Sequence, residues 1–235
     1  MKLSKRLDAL ARLVPNGTRV VDIGCDHGLL PCFLAQEGIS PFVIGVDVHK
    51  GPFETARRAV EASALEDCVD VRFGDGLLPV EPGEADTAIL AGIGGGTIRD
   101  ILEQSPLVVE KLRRLILQPM TGEDIVRRWL TSHGWSIIAE DIIAEDGRLY
   151  QIIAAEKGQA EKLNYIEASY GPLLIEKRHE LLPELLQKDM AAVQDIITQL
   201  AKSQSGDSKV KHLEFQEKFA KMKELKEWLS AAKPS

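Results

Sequence analysis

The residues of this chain best suited to chemistry are carboxylates at the ends of apolar runs. In "VVDIGCDHG" (residues 20–28) Asp22 and Asp26 flank Gly24; in "VIGVDVH" (43–49) Asp47 closes the run; in "FGDGLLP" (73–79) Asp75 does the same. The first run has the glycine-bounded turn of a dinucleotide site, but Asp26 stands where the G-x-G-x-x-G pattern needs its second glycine, and a carboxylate there would repel a pyrophosphate. An acid instead suits an ammonium group, so Asp22 or Asp26 fits the amino acid end of S-adenosylmethionine. Asp47 is placed to accept hydrogen bonds from both ribose hydroxyls, a demand that NAD and S-adenosylmethionine share. Asp75 suits the exocyclic amine of an adenine with Gly76 and Leu77 against the ring, or else makes an ordinary Asp-Gly turn. His27 could touch substrate or cofactor, or simply pack locally at a helix start.

A second group follows the fourth apolar run. In "ILAGIGGGTIRD" the glycines Gly92, Gly94, Gly95 and Gly96 strip away side-chain bulk and leave backbone exposed, which suits a flat base sliding toward a sulfonium. The lysine of a phosphate-binding P-loop is missing. "LILQP" then offers Gln118 as an amide able to read a base edge and Pro119 as a rigid wall.

Positioning these groups takes an alternation of strands and helices. β-branched runs predict strands near 19–23, 42–47, 69–73, 86–91, 113–117, 135–143 and 149–155, with helices in most gaps, the pattern of a parallel sheet covered by helices. Phe53, Ala56, Val60 and Ala64 form one helical stripe, and Ile125, Trp129 and Leu130 form another. "EDGR" signals a hairpin, so the last strand is expected to run antiparallel to its neighbour. The first helix, "LSKRLDALARLVP", takes Ser4 as N-cap; Leu7, Leu10, Ala11 and Val14 face the domain while Lys5, Arg6 and Arg12 point elsewhere. Beyond "AAEKGQ" only helical stripes remain: Leu182, Leu186, Val193, Ile196, Ile197 and Leu200, a break at "SQSGDS", then Phe215, Phe219, Met222, Leu225 and Leu229. That reads as a helical hairpin and divides the chain into 1–158 and 159–235.

Composition limits what this frame can do. The chain has 235 residues, 44% of them hydrophobic, enough for one full domain and an appendage. No apolar stretch approaches the roughly 20 residues of a membrane span, and "MKLSKRLDAL" lacks the apolar core of a signal peptide, so an unexported, cytoplasmic protein is expected. Cys25, Cys32 and Cys68 lack metal-site spacing and suggest neither disulfide nor zinc. The net charge of −7 argues against indiscriminate nucleic-acid binding. A polyanion must therefore meet local patches, of which the first helix (Lys2, Lys5, Arg6, Arg12) is the best candidate, a solvated helix face being the alternative.

The ordered set "LSKRL", "DIGCDHGLLP", "GPF", "GDGL", "AGIGGG", "LILQP" and "EDGRLYQII", spanning most of residues 3–155, resembles the bacterial tRNA (adenine-22-N1)-methyltransferase family. The sequence departs from that family at Ile93, usually methionine, and at Gly96, usually larger. The resemblance implies an α/β fold, a Rossmann-like seven-stranded class I methyltransferase sheet, with a C-terminal helical, coiled-coil-like domain. It implies S-adenosyl-L-methionine as cofactor, bound along Asp22, Gly24, Cys25, Asp26, His27, Gly28, Asp47, Val48, Asp75, Gly76, Leu77, Ala91 and Gly92. The methyl acceptor would lie against Asp26, Gly92, Gly94, Gln118 and Pro119, and tRNA against Lys5, Arg6, Gly95 and Tyr150. No metal and no membrane are implied, and the oligomeric state is left open between monomer and weak dimer. The alternatives are a methyltransferase for another RNA or a small nucleobase-like substrate, and a non-catalytic nucleoside- or RNA-binding module.

Overall fold

A computed structural model describes residues 2–202 and 206–231. The chain divides into two compact units, Met1–Lys162 and Leu163–Ser235. In order, the first unit contains α1 (Lys5–Arg12), β1 (Val20–Ile23), α2 (Leu29–Gln36), β2 (Val43–Asp47), α3 (Lys50–Ala62), β3 (Val69–Phe73), β4 (Thr87–Ile93), α4 (Gly95–Gln104), α5 (Pro106–Lys111), β5 (Arg114–Pro119), α6 (Glu123–Ser132), β6 (Trp135–Glu145) and β7 (Arg148–Lys157). The second contains α7 (Tyr165–Tyr170), α8 (Pro172–Glu176), α9 (Leu182–Leu200) and α10 (Gly206–Ser230).

The seven strands form one sheet in the order β3-β2-β1-β4-β5-β7-β6. β1 to β5 are parallel, and β7 runs antiparallel to both β5 and β6. The β6–β7 turn is the two-residue hairpin expected at "EDGR": Asp146 (φ +48°) and Gly147 (φ +72°) supply the two left-handed positions that a tight hairpin needs. Because the chain leaves β1 toward β2 and β3 and then returns to place β4 on β1's other side, the strand order reverses between β1 and β4. A crevice opens at such a reversal, outside the carboxyl ends of the strands.

Successive strand residues feed opposite faces. Val21, Ile23, Leu90, Leu115 and Leu117 belong to one apolar layer, while Val20, Ile89 and Ile116 belong to the other. Helices cover both layers, which is why β1 and β2 are buried along their whole length and β5 from Leu115 onward. Between α6 and the hairpin, a fully buried Arg127 donates through Nε to Glu140 (2.7 Å) and through Nη2 to Gln151 (2.7 Å), tying the helix to β6 and β7.

Several expectations shift. β4, β5 and β6 each run about two residues further than expected, so Gly92 lies inside β4, and the β4–β5 register slips between Ala91 and Ile93. The stripe drawn from Phe53 to Ala64 is too long: α3 ends at Ala62, Ser63 caps it, and Ala64 is exposed at φ +52°. In the second unit, two short helices precede the long pair. Asn164 and Glu167 make a reciprocal capping box that starts α7, with Asn164 Oδ1 accepting from Glu167 N (3.0 Å) and Glu167 Oε2 from Asn164 N (2.8 Å). Leu182, Leu185, Leu186, Met222 and Leu225 are buried there, whereas Ile196, expected on the apolar stripe, is exposed. The break at "SQSGDS" lies partly outside the described residues, its remainder beginning α10.

Candidate active site

β1 ends at Ile23, and the following turn carries Gly24, Cys25, Asp26 and His27 to the start of α2. Gly28 caps that helix at φ +69°, close against Ala56 of α3: an added Cβ would meet Ala56 atoms at 3.1 Å. Only glycine satisfies both the left-handed backbone and the close approach of two helices. The turn is clamped to the end of β2 by Asp47. Its Oδ2 accepts from Asp26 N (3.1 Å) and its Oδ1 from His49 N (2.8 Å), so a buried carboxylate is fixed in orientation by two backbone donors.

Beside this turn lies a cleft lined by Arg6, Asp22, Cys25, Asp26, His27 and Ala91, with Leu7, Gly24, Leu29 and Leu30 completing its wall. Asp22 is 5% exposed. Burial pushes its carboxyl up to about 7, Arg6 acting against the rise and Asp47 adding to it. The Cys25 thiol is also pushed up, by burial first and then by Asp22 and Asp47, which makes it an inert wall rather than a nucleophile.

Arg6 departs from expectation. Instead of pointing away from the domain with Lys5 and Arg12, it turns inward: its Nη1 donates to Gln118 Oε1 (2.8 Å), and its guanidinium stands 5.6 Å from the centre of the Tyr150 ring. Lys5 and Arg12 are exposed. α1 is otherwise as expected, Ser4 accepting from Leu7 N and Leu10, Ala11 and Val14 buried. Gln118 is fully buried at the end of β5; its Oε1 also accepts from Gly92 N (3.2 Å) and its Nε2 donates to the Pro119 carbonyl (2.9 Å). In this arrangement its amide faces Arg6 and the β4 end rather than open space.

The glycine run divides by task. Gly92 (φ +78°) sits at the register slip with Arg6 Nη1 3.6 Å from where a Cβ would be. Gly95 is buried and serves packing: its N–H donates to the Thr121 carbonyl (2.7 Å), and a Cβ would come within 2.2 Å of the Gly122 carbonyl oxygen. Gly94 caps α4.

Asp22, Gly24, Cys25, Asp26, His27, Ala91 and Arg6 thus share one cleft, with Asp47, Gly92, Gln118, Pro119 and Tyr150 joined to it by direct contacts or adjacency. Asp75, Gly76 and Val48 stand outside its lining, at the ends of β3 and β2; Asp75 and Val48 are exposed, and Leu77 is 1% exposed, its side chain committed to the core. What sequence reading missed is the brace on the Asp75 loop. Arg72 on β3 donates to the Pro79 carbonyl (2.7 Å) and to both Glu84 carboxylate oxygens, and this pairing pulls Glu84 down to about 2. An arginine one residue from a strand end and an acid twelve residues on gave no periodic signal. Among the described residues no group of three or more His, Cys, Asp or Glu could hold a metal ion, and no helix is long and apolar enough to cross a membrane.

Known proteins resemble this chain in sequence and fold. A family model described as a methyltransferase domain matches residues 3–153. The tRNA (adenine(22)-N(1))-methyltransferase of Bacillus subtilis (strain 168) is 35% identical over 232 residues, 97% of each chain. The crystal structure of the B. subtilis m1A22 tRNA methyltransferase TrmK superposes with a TM-score of 0.90 at 33% identity, covering 96% of this chain and 99% of that one. M. capricolum TrmK in complex with its cofactor product S-adenosyl-homocysteine gives a TM-score of 0.84 at 26% identity, covering 97% and 99%.

Proposed function

The chain belongs to the methyltransferase-domain family, among the tRNA (adenine(22)-N(1))-methyltransferases, and on that premise we propose how its cleft performs the reaction. The protein transfers a methyl group from S-adenosyl-L-methionine to N1 of an adenine in tRNA, adenine 22 by its relatives' activity. The bound cofactor supplies an electrophilic methyl on a sulfonium centre. Adenine N1 carries an in-plane lone pair, so the displacement needs alignment rather than a general base. The residues fit that division. Asp22 and Asp26 offer carboxylates to the cationic methionine end, and Asp47 keeps lone pairs toward the ribose while its backbone contacts hold it still. Gly92 and Gly94 leave room for a flat ring beside β4, and Gln118 and Pro119 form the far wall. The product base is cationic, and Asp26 with the carbonyls near Gly92 faces that developing charge. In a paired stem N1 is engaged, so the nucleotide must open into the cleft. In this reading Lys5, exposed on α1, and Tyr150, beside Arg6, meet the flanking RNA.

The observation that carries this reading is the joining of the β1 and β2 ends through Asp47 beside the Arg6–Gln118–Gly92 cluster at the β4 and β5 ends. Its test is direct. Unmodified tRNA incubated with the protein and S-adenosyl-L-methionine is expected to gain one N1-methyladenine at position 22, mapped by mass spectrometry. Methylation of free adenosine but not tRNA would replace this reading with the small-substrate one. Failure to bind S-adenosylhomocysteine would remove the methyltransferase reading altogether. A cytoplasmic site of action fits a tRNA substrate.

A further inference from the structure

Two positive groups address one buried carboxylate. Asp22 is 5% exposed and lines the same cleft as Arg6, whose charge favours its ionised form. The proposed cofactor brings an ammonium and a sulfonium to the same end of β1. The Arg6 guanidinium meanwhile engages the acceptor wall: Nη1 donates to Gln118 Oε1 at 2.8 Å, lies 3.6 Å from the Cβ position of Gly92, and the group stands 5.6 Å from the Tyr150 ring centre. A guanidinium held there opposes the reaction, because methylating a neutral adenine creates a cation where Arg6 already places one. It also occupies the amide oxygen with which Gln118 would meet a base. The anchor is releasable. Among the described residues its partners are a neutral amide and an aromatic face rather than a carboxylate at bonding distance, and its backbone N–H is held separately, to Glu145 Oε1 at 3.3 Å.

We propose that Arg6 is an exchangeable counter-charge: the cationic end of the cofactor competes with it for Asp22, and the freed guanidinium leaves Gln118 and Gly92 to the target adenine and turns to an RNA phosphate. This rests on the methyltransferase reading above and adds to it a coupling between the two substrates. Cofactor and tRNA both favour the outward guanidinium, so each tightens the other through a positioning residue that touches the acceptor only by vacating its place.

The test uses the full chain, with S-adenosylhomocysteine and unmodified tRNA as probes. For the wild type, saturating S-adenosylhomocysteine is expected to strengthen tRNA binding about 5- to 10-fold, within the usual range of site coupling. It is also expected to steepen the log–log salt dependence of that binding by about 0.7–0.9, the increment of one further phosphate neutralised. In Arg6→Gln the coupling factor is expected to fall to within twofold of unity. At pH 8.5, where Asp22 ionises without help from Arg6, S-adenosylhomocysteine alone is expected to bind several-fold more tightly than to the wild type, since its rival for Asp22 is gone. Arg6→Lys, which keeps the charge, is expected to recover the salt increment. A merely structural arginine would move none of these. An Arg6→Gln protein that retains the wild-type coupling, or binds S-adenosylhomocysteine more weakly at that pH, overturns the proposal, and an unchanged salt slope in the wild type does so without any variant. These failures are distinct from failure of the functional reading, in which the wild type neither binds the probe nor methylates tRNA.

Discussion

At the scale of single residues, Asp22 and Asp47 show two ways to keep an acidic side chain buried. Asp47 is held by backbone N–H donors, whereas burial pushes the Asp22 carboxyl up to about 7. A raised carboxyl favours the protonated form in the folded protein. Its contribution to stability is therefore complete below the unfolded value of 3.8 and is lost as pH rises through about 7. Asp22→Asn is accordingly expected to raise the melting temperature relative to wild type more at pH 8 than at pH 4. A cationic ligand favours the ionised form, so binding must release the proton below pH 7. S-adenosylhomocysteine affinity is expected to fall roughly tenfold from pH 8 to pH 6, with proton release visible as a buffer-dependent calorimetric enthalpy; a flat profile would show that Asp22 does not face the ligand. Asp47→Ala is expected to cost about 1.5–3 kcal/mol of that affinity and, because it also frees the Asp26 and His49 N–H groups, some thermal stability. Both acids were legible in the sequence as strand-end residues. Arg6 was not: the stripe Leu7, Leu10, Ala11 and Val14 assigns it outward, yet it stands four residues before Leu10, at the border of the apolar face, and a guanidinium is long enough to cross that border.

At the scale of elements, apolar period and turn chemistry place the strands and the β6–β7 hairpin closely, because those signals are local. What they cannot place is the meeting of loops distant in sequence. The glycine run after β4 reads as a slot for a base, while Gly95 is there because the backbone of Gly122, beyond β5, lies against it. The contrast with its neighbour is testable. Gly96 lies in α4, and a Cβ added there would meet no atom within 4 Å, so Gly96→Ala is expected to be neutral or to stabilise by about 0.5–1 kcal/mol through helix propensity. Gly95→Ala must displace a carbonyl, and is expected to destabilise by about 1–3 kcal/mol or more and to disturb the neighbouring β4 and β5 ends. Urea denaturation of the two variants decides the matter: equal midpoints would mean that the two loops do not meet at Gly95. The Arg127–Glu140–Gln151 cluster was equally invisible, since a buried ion pair has no period and its partners lie on three elements.

At the scale of the whole molecule, the charge is divided between the units in a way that bears on tRNA. Residues 161–235 hold 12 basic and 12 acidic side chains, so the excess of seven acids falls on residues 1–160, which also carry the cleft. An acidic catalytic unit gains little from long-range attraction to RNA and relies on a few placed cations. In the second unit Lys221, Lys223 and Lys226 are exposed on α10, Lys223 with its ammonium 5.8 Å from the Phe219 ring centre. The first unit owns both apolar layers of the sheet and every residue of the cleft, and at about 160 residues it is large enough to fold on its own core. Residues 1–162 expressed alone are therefore expected to bind S-adenosylhomocysteine within about twofold of the full chain, since cofactor affinity depends on groups the first unit supplies. The same fragment is expected to bind tRNA more weakly, its salt slope shallower by about 0.7–0.9 for each phosphate that α10 would have neutralised. Undiminished tRNA affinity and turnover in the fragment would assign the helical unit to assembly or packing. Loss of cofactor binding would mean that the cleft depends on the second unit for its shape.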